Sequence, residues 1–375
     1  MTSLSRRMLG ALATAALLGT SAYAYAEDLV VGSAGPMTGN YAAFGEQLRK
    51  GAEQAVADIN AAGGVLGKQL KLEIGDDACD PKQAVAVAND FVTKGVAFVA
   101  GHFCSGSSIP ASDVYAEQGI LQITPASTNP AFTEGAAEKG INTVFRTCGR
   151  DDQQGVFAGE WLAKNFAGKK IAVVHDKSTY GKGLADLTKA AMNAAGLQEV
   201  LYEAITPGEK DYTALVTQLK SAGVDAIYFG GYHTEAALIV RQAREQGLNA
   251  PLLSGDSLNT LEFATLAGAA ADGTMFTNAA EARNLPSAQA IVKTFRDSGY
   301  EPEGYTLSTY AAIQVWAAAA NKAGTTDAAK VAETLRSQDW DTVIGTLGFD
   351  AKGDLKQASY VWYVFKDGNY AEANM

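Results

Sequence analysis

From Leu29 onward, short apolar runs rich in β-branched residues alternate with segments whose apolar residues recur at helical spacing. The first helical segment follows the strand candidate LVVGSA, places Leu48, Ala52 and Val56 on one face, and ends at a glycine pair. Strands that alternate with helices form mostly parallel sheets, which the helices cover on both faces. The sequence therefore predicts an α/β fold.

The alternation falls into two blocks. The first block contains four strand candidates and ends with ILQITP, whereas the second begins with a helix at Asp151 and continues through KKIAVVHD, DAIYFGG and PLLSGD. A chain of 375 residues is long enough for about two domains. We therefore expect two α/β lobes of similar construction that meet near Gly149.

Polar side chains follow the strand candidates, in the loops where parallel sheets bind their ligands. Ser105 lies at the start of a helix after VAFVAG, where backbone N–H groups and the helix dipole favour an anion. Ala126 and Thr128 follow ILQITP, and the carboxylate of Asp256 after PLLSG can pair with an ammonium group. Each residue alone is also typical of turns, but together they match a zwitterionic amino acid.

Several other classes of function lack their motifs. A net charge of -11 argues against nucleic-acid and anionic-membrane partners, which require a basic face. The sequence has neither phosphate-binding glycine motif, and its three histidines lie far apart, so we expect no cofactor, no metal and no enzyme activity. A secreted α/β hydrolase is the alternative from another class, although Phe103 and Ser107 flank Ser105 where a nucleophile elbow requires glycines.

The N-terminus has the pattern of a secretory signal. An arginine pair precedes the apolar run Met8–Leu18, and small residues with an A-x-A-like motif follow, so we expect a signal peptide over 1–26, cleaved after Ala24 or Ala26. The apolar run is shorter than the roughly 20 residues that a membrane-spanning helix needs. The sequence therefore predicts a soluble protein exported to the periplasm, with the Sec and twin-arginine routes both open.

Export affects the three cysteines, because two of them should pair in an oxidising compartment. Cys79 and Cys104 are 25 residues apart with one helical segment between them, and a disulfide closing such a loop would stabilise the fold by roughly 3 kcal/mol. Cys148 would then be a buried free thiol. Spacing alone leaves other pairings open.

Several long segments, above all DDACDPKQAVAVAN and GHFCSGSSIPASDVYAEQGILQITPAST, resemble the periplasmic leucine/isoleucine/valine-binding proteins of bacterial branched-chain amino-acid ABC transporters. The similarity extends from Glu27 to the last strand. It implies a type I periplasmic binding protein fold, in which three crossing segments join two lobes. The N-terminal lobe would contain 27–148 plus 278–357, and the C-terminal lobe 149–277 plus 358–375.

The resemblance also implies a function without catalysis. The protein would be a monomeric substrate-binding component that captures leucine, isoleucine, valine or a similar neutral aliphatic amino acid and delivers it to an inner-membrane permease. The family's carboxylate and ammonium contacts fall on Ser105, Ala126, Thr128, Tyr232 and Asp256. Its side-chain pocket falls on Phe44, Cys104, Ser127, Tyr180 and Tyr305, and its disulfide on Cys79 and Cys104.

Two positions depart from the family pattern. Asp256 stands where the best-known members have glutamate, so the ammonium must lie closer to that strand or be reached through water. Phe44 stands where tyrosine is common, and the alignment loses a residue near Tyr305. These differences keep α-amino-acid recognition but leave strict leucine, isoleucine and valine selectivity open, as against broader amino acids or an amide, urea or aromatic acid.

Overall fold

Two separate sheets, each covered by helices, form the two lobes of the protein. The computed structural model describes residues 27–373, and the signal peptide predicted for 1–26 lies outside them. Between residues 27 and 373, no helix is long and apolar enough to cross a bilayer. The predicted two-lobed α/β fold is confirmed.

The first lobe is built on a five-stranded parallel sheet with the order β2-β1-β3-β4-β5. Its strands are β1 (Leu29–Gly35), β2 (Leu70–Asp76), β3 (Phe98–Gly101), β4 (Leu121–Thr124) and β5 (Val144–Arg146). The helices between them are α1 (Ala42–Ala61), α2 (Pro81–Thr93), α3 (Ser105–Glu117) and α4 (Ala131–Glu138). Helix α2 begins as expected, because the side chain of Asp80 caps it and a proline follows.

The second lobe continues the same alternation after β5. Its strands are β6 (Ile171–His175), β7 (Glu199–Ala204), β8 (Ala226–Gly230), β9 (Leu252–Ser254) and β10 (Met275–Asn278). Its helices are α5 (Asp151–Asn165), α6 (Thr179–Ala194), α7 (Thr213–Ala222), α8 (His233–Glu245) and α9 (Leu261–Ala267). A short 3₁₀ turn, Asp256–Leu258, follows β9.

The chain then returns to the first lobe before it ends in the second. The returning elements are α10 (Gln289–Asp297), α11 (Thr306–Ala323), α12 (Ala328–Arg336), β11 (Trp340–Thr342) and β12 (Gly345–Leu347). The last strands, β13 (Val361–Lys366) and β14 (Asn369–Glu372), complete a seven-stranded sheet with the order β14-β13-β10-β9-β8-β6-β7. The chain thus passes between the lobes three times, after β5, after β10 and before β13.

Aromatic side chains fix the returning segments to their lobes. Trp316 of α11 stacks on Phe98 of β3 with ring centroids 4.6 Å apart, in the core of the first lobe. Trp362 of β13 packs against Trp161 of α5 at 4.7 Å, in the second lobe. Because both sheets are mainly parallel, the loops at the carboxyl ends of β3, β4, β6, β8 and β9 face one cleft between the lobes.

Candidate functional site

A small cavity lies in the cleft between the lobes, where loops from both lobes meet. It brings together most of the residues that the sequence selected, although their positions in the chain range over 200 residues. The side chains that line it are Phe103, Ser105, Ala126, Tyr180, Tyr232, Asp256, Ser257 and Tyr305.

Asp256 is the charged group of this cavity. It begins the 3₁₀ turn after β9 and is 4% exposed. Its carboxylate accepts hydrogen bonds from the hydroxyl of Tyr180 at 2.9 Å and from the hydroxyl of Tyr305 at 2.5 Å. Burial raises the pKa of Asp256, which the tyrosine hydroxyls partly oppose. Two tyrosine hydroxyls bond the carboxylate and no cation of residues 27–373 pairs with it, so it is suited to accept an ammonium group.

The first lobe presents a cradle opposite Asp256, formed by the start of α3 and the loop after β4. The Ser105 hydroxyl accepts a hydrogen bond from the backbone N–H of Asn129 at 3.3 Å, which ties the two loops together. Thr128 is 2% exposed, and its hydroxyl has no hydrogen-bond partner within residues 27–373. Thr128 lines a neighbouring cavity of about 270 Å³ that also reaches Asp256 and Tyr305. The cradle thus offers a free polar group at the edge of the site.

Arg146 at the end of β5 supports this cradle from below, and sequence reasoning missed it. Its guanidinium is fully buried and donates to the carbonyl oxygens of Ser127 at 2.6 Å and Asn129 at 3.2 Å. It also forms an ion pair with Asp354 at 2.7 Å. An arginine at the end of a buried strand was the available signal, since such a charge requires several partners.

The disulfide and a buried histidine fix the other half of the cradle. The predicted pair, Cys79 and Cys104, is bonded with Cα atoms 5.5 Å apart. His102 contacts the carboxylate of Asp77 at 2.5 Å and the hydroxyl of Tyr115 at 2.9 Å, and all three residues are buried. Both connections join the loop after β2 to the loop after β3. They hold in place the loop in which Ser105 begins α3.

Removing this disulfide with the double substitution Cys79→Ala and Cys104→Ala is expected to lower the free energy of unfolding by about 2 to 5 kcal/mol. The cross-link restricts the unfolded chain and fixes the Ser105 loop. Urea denaturation followed by circular dichroism measures the change. Cys148→Ser, which keeps the disulfide, is the control, and equal midpoints for the double variant and wild type would contradict the expectation.

Aromatic rings form the apolar wall of the site. Phe103 lies between Phe44, with which it stacks at 4.4 Å, and the ring of Tyr305, which it meets edge-on at 5.1 Å. Tyr232 contacts Tyr41 of the first lobe at 4.4 Å. The sequence did not single out Phe103 as a ligand contact, although its position directly after a strand was a usable signal.

Three of the predicted pocket residues lie behind this wall and do not line the cavity. Phe44 is covered by Phe103, and Cys104 is held in the disulfide. The hydroxyl of Ser127 contacts that of Ser108 at 2.7 Å and donates to the Phe103 carbonyl at 2.9 Å. These residues shape the site through the side chains in front of them.

Cys148 is the one free cysteine among the described residues and is half-buried in the first crossing segment. Its sulfur lies 3.6 Å from the carbonyl oxygen of Ser127. Burial raises the pKa of the Cys148 thiol, so the thiol stays protonated at neutral pH. It therefore lacks the thiolate character of a nucleophile.

Comparison with known proteins identifies the family of this chain. A family model described as periplasmic binding protein matches residues 28–369. An amino acid binding protein of Pseudomonas aeruginosa is 53% identical over 371 residues, which cover 98% of each chain. A Leu/Ile/Val-binding protein homolog of Brucella melitensis is 50% identical over 359 residues, which cover 96% of this chain and 95% of that protein.

A solved structure has a similar fold. It is the branched-chain amino acid transporter substrate-binding protein LivJ of Streptococcus pneumoniae in complex with isoleucine. The two folds superpose with a TM-score of 0.84 at 27% identity, over 92% of this chain and 99% of that one. The chain therefore belongs to the family of periplasmic binding proteins.

Proposed function

We propose that this protein is the substrate-binding component of an ABC importer and captures a neutral aliphatic, branched-chain amino acid between its lobes. The observation that carries the proposal is the buried carboxylate of Asp256, which accepts hydrogen bonds from two tyrosine hydroxyls and lies opposite the cradle of the first lobe. The names of the Brucella and Streptococcus proteins support the same ligand class. As a binding protein, it makes and breaks no covalent bond.

The proposed contacts divide between the two ends of the ligand. Ser105 donates to the ligand carboxylate at the start of α3, and Asp256 accepts from the ammonium group. The remaining polar contacts come from Ala126, Thr128 and Tyr232. The ligand side chain lies against the aromatic wall, whose shape depends on Phe44, Phe103, Cys104, Ser127, Tyr180 and Tyr305.

Closure of the cleft is the proposed mechanical step, with 27–148 plus 278–357 moving against 149–277 plus 358–375. The hydrogen bonds that join the lobes include one from the Tyr305 hydroxyl to Asp256 and one from the side-chain amide of Asn129 to the carbonyl of Thr179 at 2.7 Å. A ligand that contacts both lobes favours the closed form, because those contacts are complete only there.

Delivery follows from closure. The closed surface is what an inner-membrane permease would recognise, and we place the protein in the periplasm as a monomer. The family to which the chain belongs, and the relatives at about half identity, support the periplasmic location.

Isothermal titration calorimetry with leucine, isoleucine, valine, alanine, phenylalanine, glutamate and benzoate tests the proposal. We expect heat from the neutral aliphatic amino acids and none from benzoate, because benzoate has no ammonium group for Asp256. Heat from benzoate, with none from any neutral amino acid, would show that the ligand is an aromatic acid and not an amino acid. If none of these compounds gives heat, the proposed ligand class is wrong.

A further inference from the structure

A second carboxylate is buried behind the cradle of the first lobe, and none of the proposed contacts uses it. Asp151 is the first residue of α5 and has no exposed surface. Its backbone N–H donates to the carbonyl of Thr128 at 2.9 Å, so it lies directly behind the cradle. Neither oxygen of its carboxylate has a hydrogen-bond partner within residues 27–373. Burying an ionised carboxylate without partners is costly, so this group needs a proton or a cation.

The surroundings of Asp151 contain more negative than positive charge. Arg146, whose positive charge acts on Asp151, already pairs with Asp354 and donates to two loop carbonyls. Burial and the neighbouring Asp256 raise the pKa of Asp151 well above its usual value, while Thr128 and Arg146 oppose that shift. The titratable and charged groups that interact electrostatically with Asp151 include Arg146, Cys148, Asp152, Tyr180, Tyr228, Tyr232, Asp256 and Tyr360.

The hydroxyl of Thr128 connects the second acid to the ligand. This hydroxyl is buried and has no hydrogen-bond partner within residues 27–373. It lies near the Asp151 carboxylate, whose pKa it lowers. A hydroxyl can donate one hydrogen bond and accept others. If it donates to Asp151, its lone pairs remain free for the ligand's ammonium group. Asp151 therefore acts on the ligand both through its charge and by orienting Thr128.

We propose that Asp151 and Asp256 form a two-carboxylate site for the ligand's ammonium group, in which the empty protein holds one proton between the two acids and releases it when the ammonium binds. The inference rests on the proposed function and adds a proton to its binding step. Two like charges in one buried site cannot both stay ionised without a counter-charge, and the ammonium supplies that charge. The carboxyl O–H bond breaks, the proton passes to solvent, and the ligand stays protonated.

Because of the position of Asp151, we expect the empty protein to hold the proton of the two carboxylates whether the cleft is open or closed. Asp151 directly follows the first crossing segment, and residues close to a hinge move least when the lobes separate. The empty pair binds a proton that the liganded pair lacks, so affinity rises with pH until the pH exceeds the pKa of the empty pair.

The test is calorimetry of leucine binding in phosphate and in imidazole, two buffers with very different ionisation enthalpies, at pH 6 and pH 7. The difference in heat between buffers gives the number of protons released, which we expect to be about one per leucine at the lower pH. Asp151→Asn is expected to release none and to lose the pH dependence. Asp152→Asn is the matched control, because its side chain is 40% exposed and pairs with Arg150.

The outcomes separate the two proposals. Leucine binding with no proton release by wild type, or unchanged release by Asp151→Asn, overturns the two-carboxylate site and leaves the proposed function intact. Loss of release in both Asp151→Asn and Asp152→Asn overturns the assignment to Asp151. If Asp151→Asn does not fold, the wild-type measurement decides. If no amino acid binds wild type, the proposed function itself fails.

Discussion

Asp256→Asn is expected to weaken leucine binding by about 2 kcal/mol or more, which is roughly 30-fold in Kd. The substitution keeps the size of the side chain and its capacity to bond Tyr180 and Tyr305, but it removes the counter-charge of a desolvated ammonium group. Isothermal titration calorimetry measures the loss directly. The circular dichroism spectrum should stay unchanged, because only one oxygen is replaced.

Asp256→Glu provides the matched control for this prediction. It restores the carboxylate with one more methylene, as in the family members that have glutamate at this position, so we expect much of the affinity to return. An asparagine variant that binds leucine as tightly as wild type would remove Asp256 from the site. Equal losses in the asparagine and glutamate variants would show that geometry, and not charge, determines binding.

Arg146→Met is expected to lower the free energy of unfolding by about 3 kcal/mol and to weaken ligand binding as well. Methionine fills part of the space, but it leaves the carbonyls of Ser127 and Asn129 without their donor in a buried setting. Asp354 keeps a second partner, Arg150 at 2.6 Å, which limits the loss. Urea denaturation and calorimetry on the same variant measure both effects.

Arg150→Met distinguishes support of the cradle from a general loss of charge. Arg150 also pairs with Asp354, but its side chain remains 13% exposed and makes no bond to the carbonyl oxygens of Ser127 or Asn129. We expect a smaller loss of stability and nearly unchanged ligand affinity. Equal effects of the two substitutions on Kd would show that Arg146 does not position the loop.

The local pattern of apolar residues was sufficient to predict the architecture and part of the site. The alternation of strands and helices implies a parallel sheet, and a parallel sheet places the loops after its strands at one edge. For that reason Ser105, Ala126, Tyr232 and Asp256 could be assigned to one cleft without any knowledge of their distances. The disulfide between Cys79 and Cys104 confirms the pairing that the family resemblance implied, whereas spacing alone had left other pairings open.

Two features could not be predicted from local pattern: ion pairs between residues distant in the chain, and the buried residues that support the site without lining it. Arg146 and Asp354 are far apart in the chain, and neither periodicity nor a motif connects them. Asp151 begins α5, and helices commonly begin with acidic residues. The sequence therefore did not indicate that its side chain is buried. Strands β11 and β12 have three residues each, too few for an alternation to be recognised.

The stacking of Trp316 on Phe98 has a consequence for the order in which the protein is made. The core of the first lobe combines residues from the beginning of the chain with residues as late as Phe349, and the whole second lobe except its last strands lies between them in the sequence. A growing chain thus emerges with part of the core of the first lobe uncovered until α11 and α12 have been made. The lobe that begins first is completed late, so a nascent chain must be kept from aggregating until synthesis is nearly finished.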